Sequence, residues 1–268
     1  MAKTFSPRGE KDSKIHHALM IIKLERYSVH PVILKWIASF LMHRRQCVLV
    51  NGTSSCEKPV ISGVPQGSVL GPILFLMFIN DLGDAVTGGS ILRFFADDTR
   101  IIKHIACVAD HDALQSDLTA ILGWARRNNM QLHERKFELL VHKAGPRTSL
   151  DCLPFAPQLY SYAVSDEVLL SPVDEVKDLG VKISADLSWK SHIGSMVAKG
   201  RSFAAWVLSV FKSREPDVMM TLYKTYVRSQ LEYCSALWYP QCTEDLGVVD
   251  GVQRAFMSKI SGLSHMDC

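Results

Sequence analysis

The stretch Phe94-Phe95-Ala96-Asp97-Asp98-Thr99 constrains this chain more than any other. Ile91-Leu92-Arg93-Phe94-Phe95 has the aromatic and β-branched content of a buried strand, and Arg100-Ile101-Ile102-Lys103 can return beside it. The segment therefore reads as a β-hairpin with two adjacent carboxylates at its tip. Acids held between apolar strands are costly to desolvate, and a divalent cation is the commonest group that offsets the cost. A solvated turn is the competing reading, because Asp is also a good turn former.

About thirty residues upstream, Gly63, Pro65, Gly67, Gly71 and Pro72 punctuate the loop Ser62-Gly63-Val64-Pro65-Gln66-Gly67-Ser68-Val69-Leu70-Gly71-Pro72. It runs into Ile73-Leu74-Phe75-Leu76-Met77-Phe78-Ile79-Asn80-Asp81-Leu82, which has the apolar density of a buried helix. A glycine-rich loop opening a helix lets backbone N–H groups approach phosphates closely. By itself such a loop is more often structural than functional.

Together the two features resemble the palm of reverse transcriptases of the non-LTR (LINE-type) retrotransposons. Gly63 to Pro72, Ile79-Asn80-Asp81-Leu82 and Phe95-Ala96-Asp97-Asp98 match that family's blocks in order. Residues 36–50, Leu114-Gln115-Ser116-Asp117-Leu118, Trp124 to Met130, Lys136, Lys177-Asp178-Leu179-Gly180-Val181 and Leu231-Glu232-Tyr233-Cys234 continue the pattern over nearly the whole chain. The resemblance implies an α+β fold: a right-hand polymerase palm, an antiparallel sheet with helices on one face, followed by a helical thumb. It implies Mg²⁺ held by Asp97 and Asp98, and contacts to template and incoming nucleotide from Gly63, Pro65, Gln66, Gly67 and Phe95. Lys136 would approach the triphosphate, and Lys177, Leu179 and Gly180 would grip the primer end. RNA template, DNA primer and deoxynucleoside triphosphates are the implied partners.

The same comparison exposes a gap. Two-metal nucleotidyl transfer needs bridging carboxylates from more than one strand. In the family the third acid lies on an earlier strand; the register through Leu19 to Leu24 puts Pro7 at its place and Ser13 at a following aspartate. Thr4 to Lys11 is polar and broken by proline, so residues 1–12 are not expected to pair beside the hairpin as a central strand. Glu10 or Asp12 could substitute as a ligand, but Asp12 or Ser13 is better placed to cap the helix-like run Lys14 to Tyr27, with Ile15, Ala18, Leu19, Ile22 and Tyr27 as its apolar face. Almost nothing precedes this segment, so the chain is expected to be N-terminally truncated, with the fingers largely absent.

With 268 residues, 47% of them hydrophobic, the chain can bury a substantial core. Residues 1–50 carry nine Lys/Arg against three acids and 182–232 carry eight against four, whereas 51–122 carry four against eight. An acidic floor between basic flanks suits a metal site under a nucleic-acid backbone, although solvated helix faces give the same counts. No apolar run approaches the length of a membrane span, and the seven cysteines form no close metal-ligand pairs. A reduced intracellular chain, nuclear or cytoplasmic, is expected.

After the hairpin, Leu114, Leu118, Ile121, Leu122 and Ala125 mark a helix face that Asp110 or Asp112 could cap. Lys136 follows in Gln131 to Val141, as a triphosphate contact or as a surface lysine on an edge strand. Residues 1–145 are expected to form a partial palm, 146–175 a proline-rich connection, and 176–268 the primer-grip hairpin and helical thumb. The thumb helices fall near 188–212 and 217–233, broken at Pro216, with Ile193, Val197, Phe203, Val207, Val210, Leu222, Tyr226 and Leu231 apolar. Trp206, Tyr223 and Trp238 are candidates for base stacking or for the core.

The reading is thus a reverse transcriptase-like domain of ancestral RNA-directed DNA polymerase activity, catalytically incompetent for want of the first aspartate and the fingers. The alternative is a non-catalytic nucleic-acid-binding module built from palm and thumb. A magnesium-diphosphate prenyl transferase is disfavoured, since no later acid follows Asp97-Asp98 at the needed spacing.

Overall fold

Four residues near the start of the chain occupy the centre of the main sheet. The computed structural model describes residues 2–5, 15–96, 98–130, 132–142, 161–165, 168–240 and 242–261, with backbone alone for 2–5 and Arg135. Strand β1, Ala2–Phe5, pairs antiparallel with Asp98–Ile102 on one side and Phe137–Leu140 on the other. This overturns the expectation that residues 1–12 contribute no central strand. The pattern test missed it because four residues are too few to show alternation, and long-range pairing on both edges sustains the strand. Pro7, Glu10, Asp12 and Ser13 lie outside the described residues.

The chain divides into two units, Met1–Val173 and Asp174–Cys268, a division that falls within segment 146–175. In the first, α1 (His17–Arg26) and α2 (Pro31–Leu41) are followed by four two-residue strands, β2 (Arg45–Gln46), β3 (Leu49–Val50), β4 (Thr53–Ser54) and β5 (Lys58–Pro59). These pair as β2–β5 and β3–β4. Then come α3 (Leu70–Ile79), a 3₁₀ segment Asn80–Ala85, β6 (Ile91–Phe95), β7 (Asp98–Ile102), α4 (Val108–Arg127) and β8 (Phe137–Leu140). A small pair, β9 (Tyr162–Ala163) with β10 (Leu169–Leu170), precedes β11 (Pro172–Val173). The main sheet has the order β11-β8-β1-β7-β6, antiparallel except for the β11–β8 pairing.

Odd-numbered residues of β7 and β8 face the helices: Ile101, Phe137 and Leu139 share one core with Leu114, Leu118, Ile121 and Leu122 of α4. That face of α4 was legible from its 3.6-residue spacing. Asp110 caps the helix, accepting from the N–H groups of Ala106 at 2.8 Å and Cys107 at 3.0 Å. These bonds hold its carboxyl below the usual carboxylate range. Strand β6, by contrast, is not buried. It is a sheet edge, with Phe95 64% and Ile91 49% exposed, because its other neighbour is solvent.

Helix α1 also differs from expectation. It begins at His17, and its buried face is His17, Met20, Lys23 and Leu24, while Ile22 and Tyr27 are exposed. Lys23 can be buried because it donates to Phe78 O at 2.7 Å and Asp81 Oδ1 at 2.6 Å, and lies over the rings of Phe78 and Trp124. Desolvation nevertheless depresses its pKa, against the Asp81 contact.

The second unit opens with the hairpin β12 (Glu175–Asp178) and β13 (Val181–Ser184) and continues with α5 (Lys190–Val210). Next, α6 (Pro216–Leu222) runs through a π-helical turn, Tyr223–Arg228, into α7 (Ser229–Leu231). Short α8 (Ser235–Trp238) and α9 (Thr243–Met257) complete it. Pro216 stands at the first turn of α6, where its missing N–H costs nothing. Ile193, Val197, Val207, Tyr223, Leu231, Trp238 and Phe256 form the core. Val210 and Tyr226 are exposed instead, and of the three stacking candidates only Trp206 reaches the surface.

Candidate functional site

The hairpin predicted around the acids is present. Phe95 pairs with Asp98, so two residues connect the strands: Ala96, at φ +52°, and Asp97, which lies outside the described residues. Asp98 opens β7 half-buried, and Phe95 presents an exposed ring beside it.

The hairpin is anchored at its base by a carboxylate that sequence reasoning did not single out. Asp117, 1% exposed on α4, accepts from the backbone N–H groups of Thr87 at 3.1 Å, Gly88 at 2.7 Å and Ser90 at 3.4 Å. Lys103, just past β7, donates to Gly88 O. A Cβ on Gly88 would lie 2.7 Å from Asp117 Oδ2 and 2.8 Å from Ala113 O, so only glycine fits. The clue was a lone acid on the apolar face of an amphipathic helix.

The glycine loop folds back on the start of α1. Gly63 N–H donates to Ile15 O at 2.9 Å, and Gly63 O accepts from His17 Nε2 at 2.9 Å. Gly63 and Gly67 have φ of +86° and +78°, which L side chains rarely adopt. Ser68 Oγ donates to Pro65 O at 2.6 Å and accepts from Gly71 N–H at 3.0 Å, closing the turn at the head of α3. A Cβ at Gly71 would meet Pro65 O at 2.8 Å. Gln66 and Gly67 are left exposed at the turn, while Gly63 and Pro65 are half-buried. Asp81, in the motif that ends α3, is a structural tie. It accepts from Lys23 and, at 3.1 Å, from Trp124 Nε1.

Lys136 is exposed, in a 3₁₀ turn (Glu134–Lys136) immediately before β8. It is therefore not on an edge strand, since β8 lies between β1 and β11.

In the second unit, Asp178 pairs with Val181, leaving the two-residue turn Leu179-Gly180 at φ +45° and +91°. Positive φ at both positions is the hairpin geometry that matches strand twist, and Leu is an unfavourable residue for it. Tyr233 Oη donates to Leu179 O at 2.8 Å and fixes the turn. Lys177 stands exposed on β12, directly across from Lys182.

The acids do not make a two-metal set among the described residues. Asp98 is the carboxylate at the tip, but β1 beside it reads Ala2-Lys3-Thr4-Phe5. Glu138 is next nearest by register, across Thr4 from Arg100. Two strand spacings and two residues along put it about 12 Å from Asp98 at the backbone, against the roughly 4 Å span of a metal pair. Among the described residues, no group of three or more His, Cys, Asp or Glu gathers as a metal site. The described donors alone, Asp98 and Glu138, are too far apart to hold the paired Mg²⁺ ions of the resemblance, and Asp97, Glu10 and Asp12 lie outside the described residues. No helix of the described residues is long and apolar enough to cross a membrane.

The family model described as reverse transcriptase (RNA-dependent DNA polymerase) matches residues 13–183. The RNA-directed DNA polymerase from mobile element jockey of Drosophila funebris is 30% identical over 87% of this chain and 25% of its own length. The probable RNA-directed DNA polymerase from transposon X-element of Drosophila melanogaster is 27% identical over 84% of this chain and 24% of its own. The chain thus spans about a quarter of the length of these relatives. It belongs to the reverse transcriptase family, in the branch carried by non-LTR retrotransposons.

Proposed function

We propose that this chain is a reverse transcriptase domain that has kept the frame for handling nucleic acid and lost the chemistry of polymerisation. On this reading the first unit is a partial palm and the second a primer-grip hairpin with a helical thumb. Asp97 and Asp98 are the remainder of the metal box, Gln66-Gly67 and Phe95 line the same cleft as that box, and Lys136 belongs to the triphosphate side. Lys177, Leu179 and Gly180 form the primer grip. RNA template, DNA primer and nucleotide are the ancestral ligands.

The observation that carries the reading is the acid-free strand beside β7. Its described residues, Ala2-Lys3-Thr4-Phe5, carry no carboxylate, and in the sequence Pro7 stands where the family resemblance expects the first catalytic aspartate. The test is primer extension on an RNA template with Mg²⁺ or Mn²⁺. No extension is expected. Extension above background that disappears in Asp97→Ala overturns the claim.

A second reading, a nucleic-acid-binding module without chemistry, is favoured by the basic balance of residues 182–232, eight Lys/Arg against four acids. Affinity for oligonucleotides should then fall steeply with salt and show little sequence preference. Reversing the charges of Lys199 and Arg201 should flatten the salt slope by about one to two units. Absence of binding at low salt removes this reading.

A further inference from the structure

Strands β2 to β5 make one long hairpin whose two halves are out of step by one residue. At the tip, Asn51-Gly52 turns the chain with φ of +48° and +81°, positive at both positions as in the tight turn that suits strand twist. Behind it Val50 pairs with Thr53 and Leu49 with Ser54, and Ser55 N–H donates to Val48 O at 2.9 Å, which carries the same register one row further. The next row sets Cys47 opposite Cys56. At the open end Gln46 pairs with Lys58 and Arg45 with Pro59, and Val60 N–H donates to Arg44 O at 2.9 Å. Counting inward from there sets Cys47 opposite Glu57. One residue, Cys47, is thus faced by two, the arrangement of a β-bulge.

Alternation puts Arg45, Cys47 and Leu49 on one face of the outgoing strand, and Ser54 and Cys56 on the same face of the returning one. Glu57 reaches that face as well, since its carboxylate pairs with Arg45 Nε at 2.9 Å across the bulge. The hydrogen-bonded rows lie on either side, Val48 with Ser55 and Gln46 with Lys58. Cys47 and Cys56 therefore occupy a non-hydrogen-bonded row, where opposed Cα atoms are about 4.5 Å apart. Disulfides span Cα separations of about 4.4–6.8 Å, so the window leaves about 2 Å for the widening that a bulge brings. Both thiols are free and exposed, open to a reagent in solvent. The other described cysteines, Cys107, Cys234 and Cys242, each stand just before a helix and not on a paired strand.

We propose that Cys47 and Cys56 are a reversible thiol-modification site, bridged by exchange with a low-molecular-weight disulfide such as oxidised glutathione. One protein thiolate attacks the small disulfide, forming a mixed disulfide and releasing one glutathione thiolate. The second protein thiolate then attacks the protein sulfur of that mixed disulfide, closing the Cys47–Cys56 bond and releasing the other glutathione thiolate. Two protein thiols are oxidised, one small disulfide is reduced to two thiols, and the two protons pass to the released thiolates. The bridge ties the bulged row together and holds β5, which leads within four residues to Gly63, in register with β2.

The test uses the full chain, incubated near neutral pH with a mixture of oxidised and reduced glutathione, quenched with N-ethylmaleimide and read by peptide mass spectrometry. The expected product is a hairpin peptide lighter by two hydrogen atoms than its reduced form, with Cys47 and Cys56 protected from the maleimide together. A parallel sample in urea separates geometry from mere nearness in sequence: the ratio of bridge to mixed disulfide should be at least about tenfold higher in the folded chain. Cys56→Ser should leave Cys47 with a glutathione adduct and no bridge. Hydrogen exchange of peptides within 45–59 should slow at least about tenfold on bridging and recover on reduction. Glutathione adducts on both cysteines without a bridge, or a ratio no higher than in urea, overturn the site. A bridge that leaves exchange unchanged overturns the clamp.

Discussion

Replacing Asp117 with Asn should loosen the acid-bearing hairpin while leaving the second unit intact. The carboxylate receives three backbone N–H bonds, at 3.1, 2.7 and 3.4 Å, inside a site 1% exposed. An amide keeps one acceptor oxygen for Thr87 and Gly88, but each bond falls from the charged to the neutral class, a loss of about 1 kcal/mol apiece. Its NH₂ then faces the Ser90 N–H, donor against donor, adding about 1 kcal/mol. Relief of the buried charge returns part of this, leaving about 2–3 kcal/mol. Hydrogen exchange with mass spectrometry reads it directly: peptides covering 87–103 should exchange roughly 30–150 times faster, as that free energy dictates. Peptides from 174–261 are the internal control. Gly88→Ala attacks the same contact from the other side, so the double variant should cost less than the sum of the singles. Exchange within about threefold of the parent in 87–103, or equal acceleration in both units, would refute the anchoring role.

Lys23→Met should lower the stability of the first unit by about 1–3 kcal/mol in urea unfolding, because Phe78 O loses its donor and Asp81 half of its contacts; an unchanged midpoint counts against the tie. Gly180→Ala should cost about 1–3 kcal/mol, since φ is +91° and the added Cβ lies 3.2 Å from the Tyr233 ring. Retention of full stability there would mean that the turn is free to change type. Burial depresses the pKa of His111 and His192 below their ordinary 6.5, so the unfolded chain binds protons first as the pH drops. Stability should therefore be level above that value and decline below it, through the folded pKa values; a urea midpoint higher at pH 5 than at pH 7.5 contradicts this. The Asp110 cap acts in a separate window, contributing stability above its ordinary 3.8 that is lost as pH falls through its lower folded value.

The parts legible in the sequence were those written in short-range pattern: the hairpin at Phe94 to Thr99, the glycine loop opening α3, the face and cap of α4, and the break at Pro216. What escaped was set by distant partners. Strand β1 depends on pairing with residues far along the chain, and the exposure of β6 depends on its place at the sheet edge. The buried face of α1 was misread because Lys23 and His17 look polar until Asp81, Phe78 and Gly63 supply their contacts. The acids Asp81 and Asp117 sit in motif blocks beside the catalytic-looking pair, yet donors already occupy them, a fact that spacing alone does not encode.

The central position of β1 also sets an order of assembly. Ala2 pairs with Ile102 on one side and Leu140 on the other, so β1, the earliest of the five strands along the chain, cannot be closed in on both edges until β7 and β8 are present. Until it inserts, β7 and β8 each present an open inner edge, ready to pair with any extended segment nearby. Four residues of chain, short enough to escape notice in the sequence, separate a closed sheet from one that recruits its neighbours.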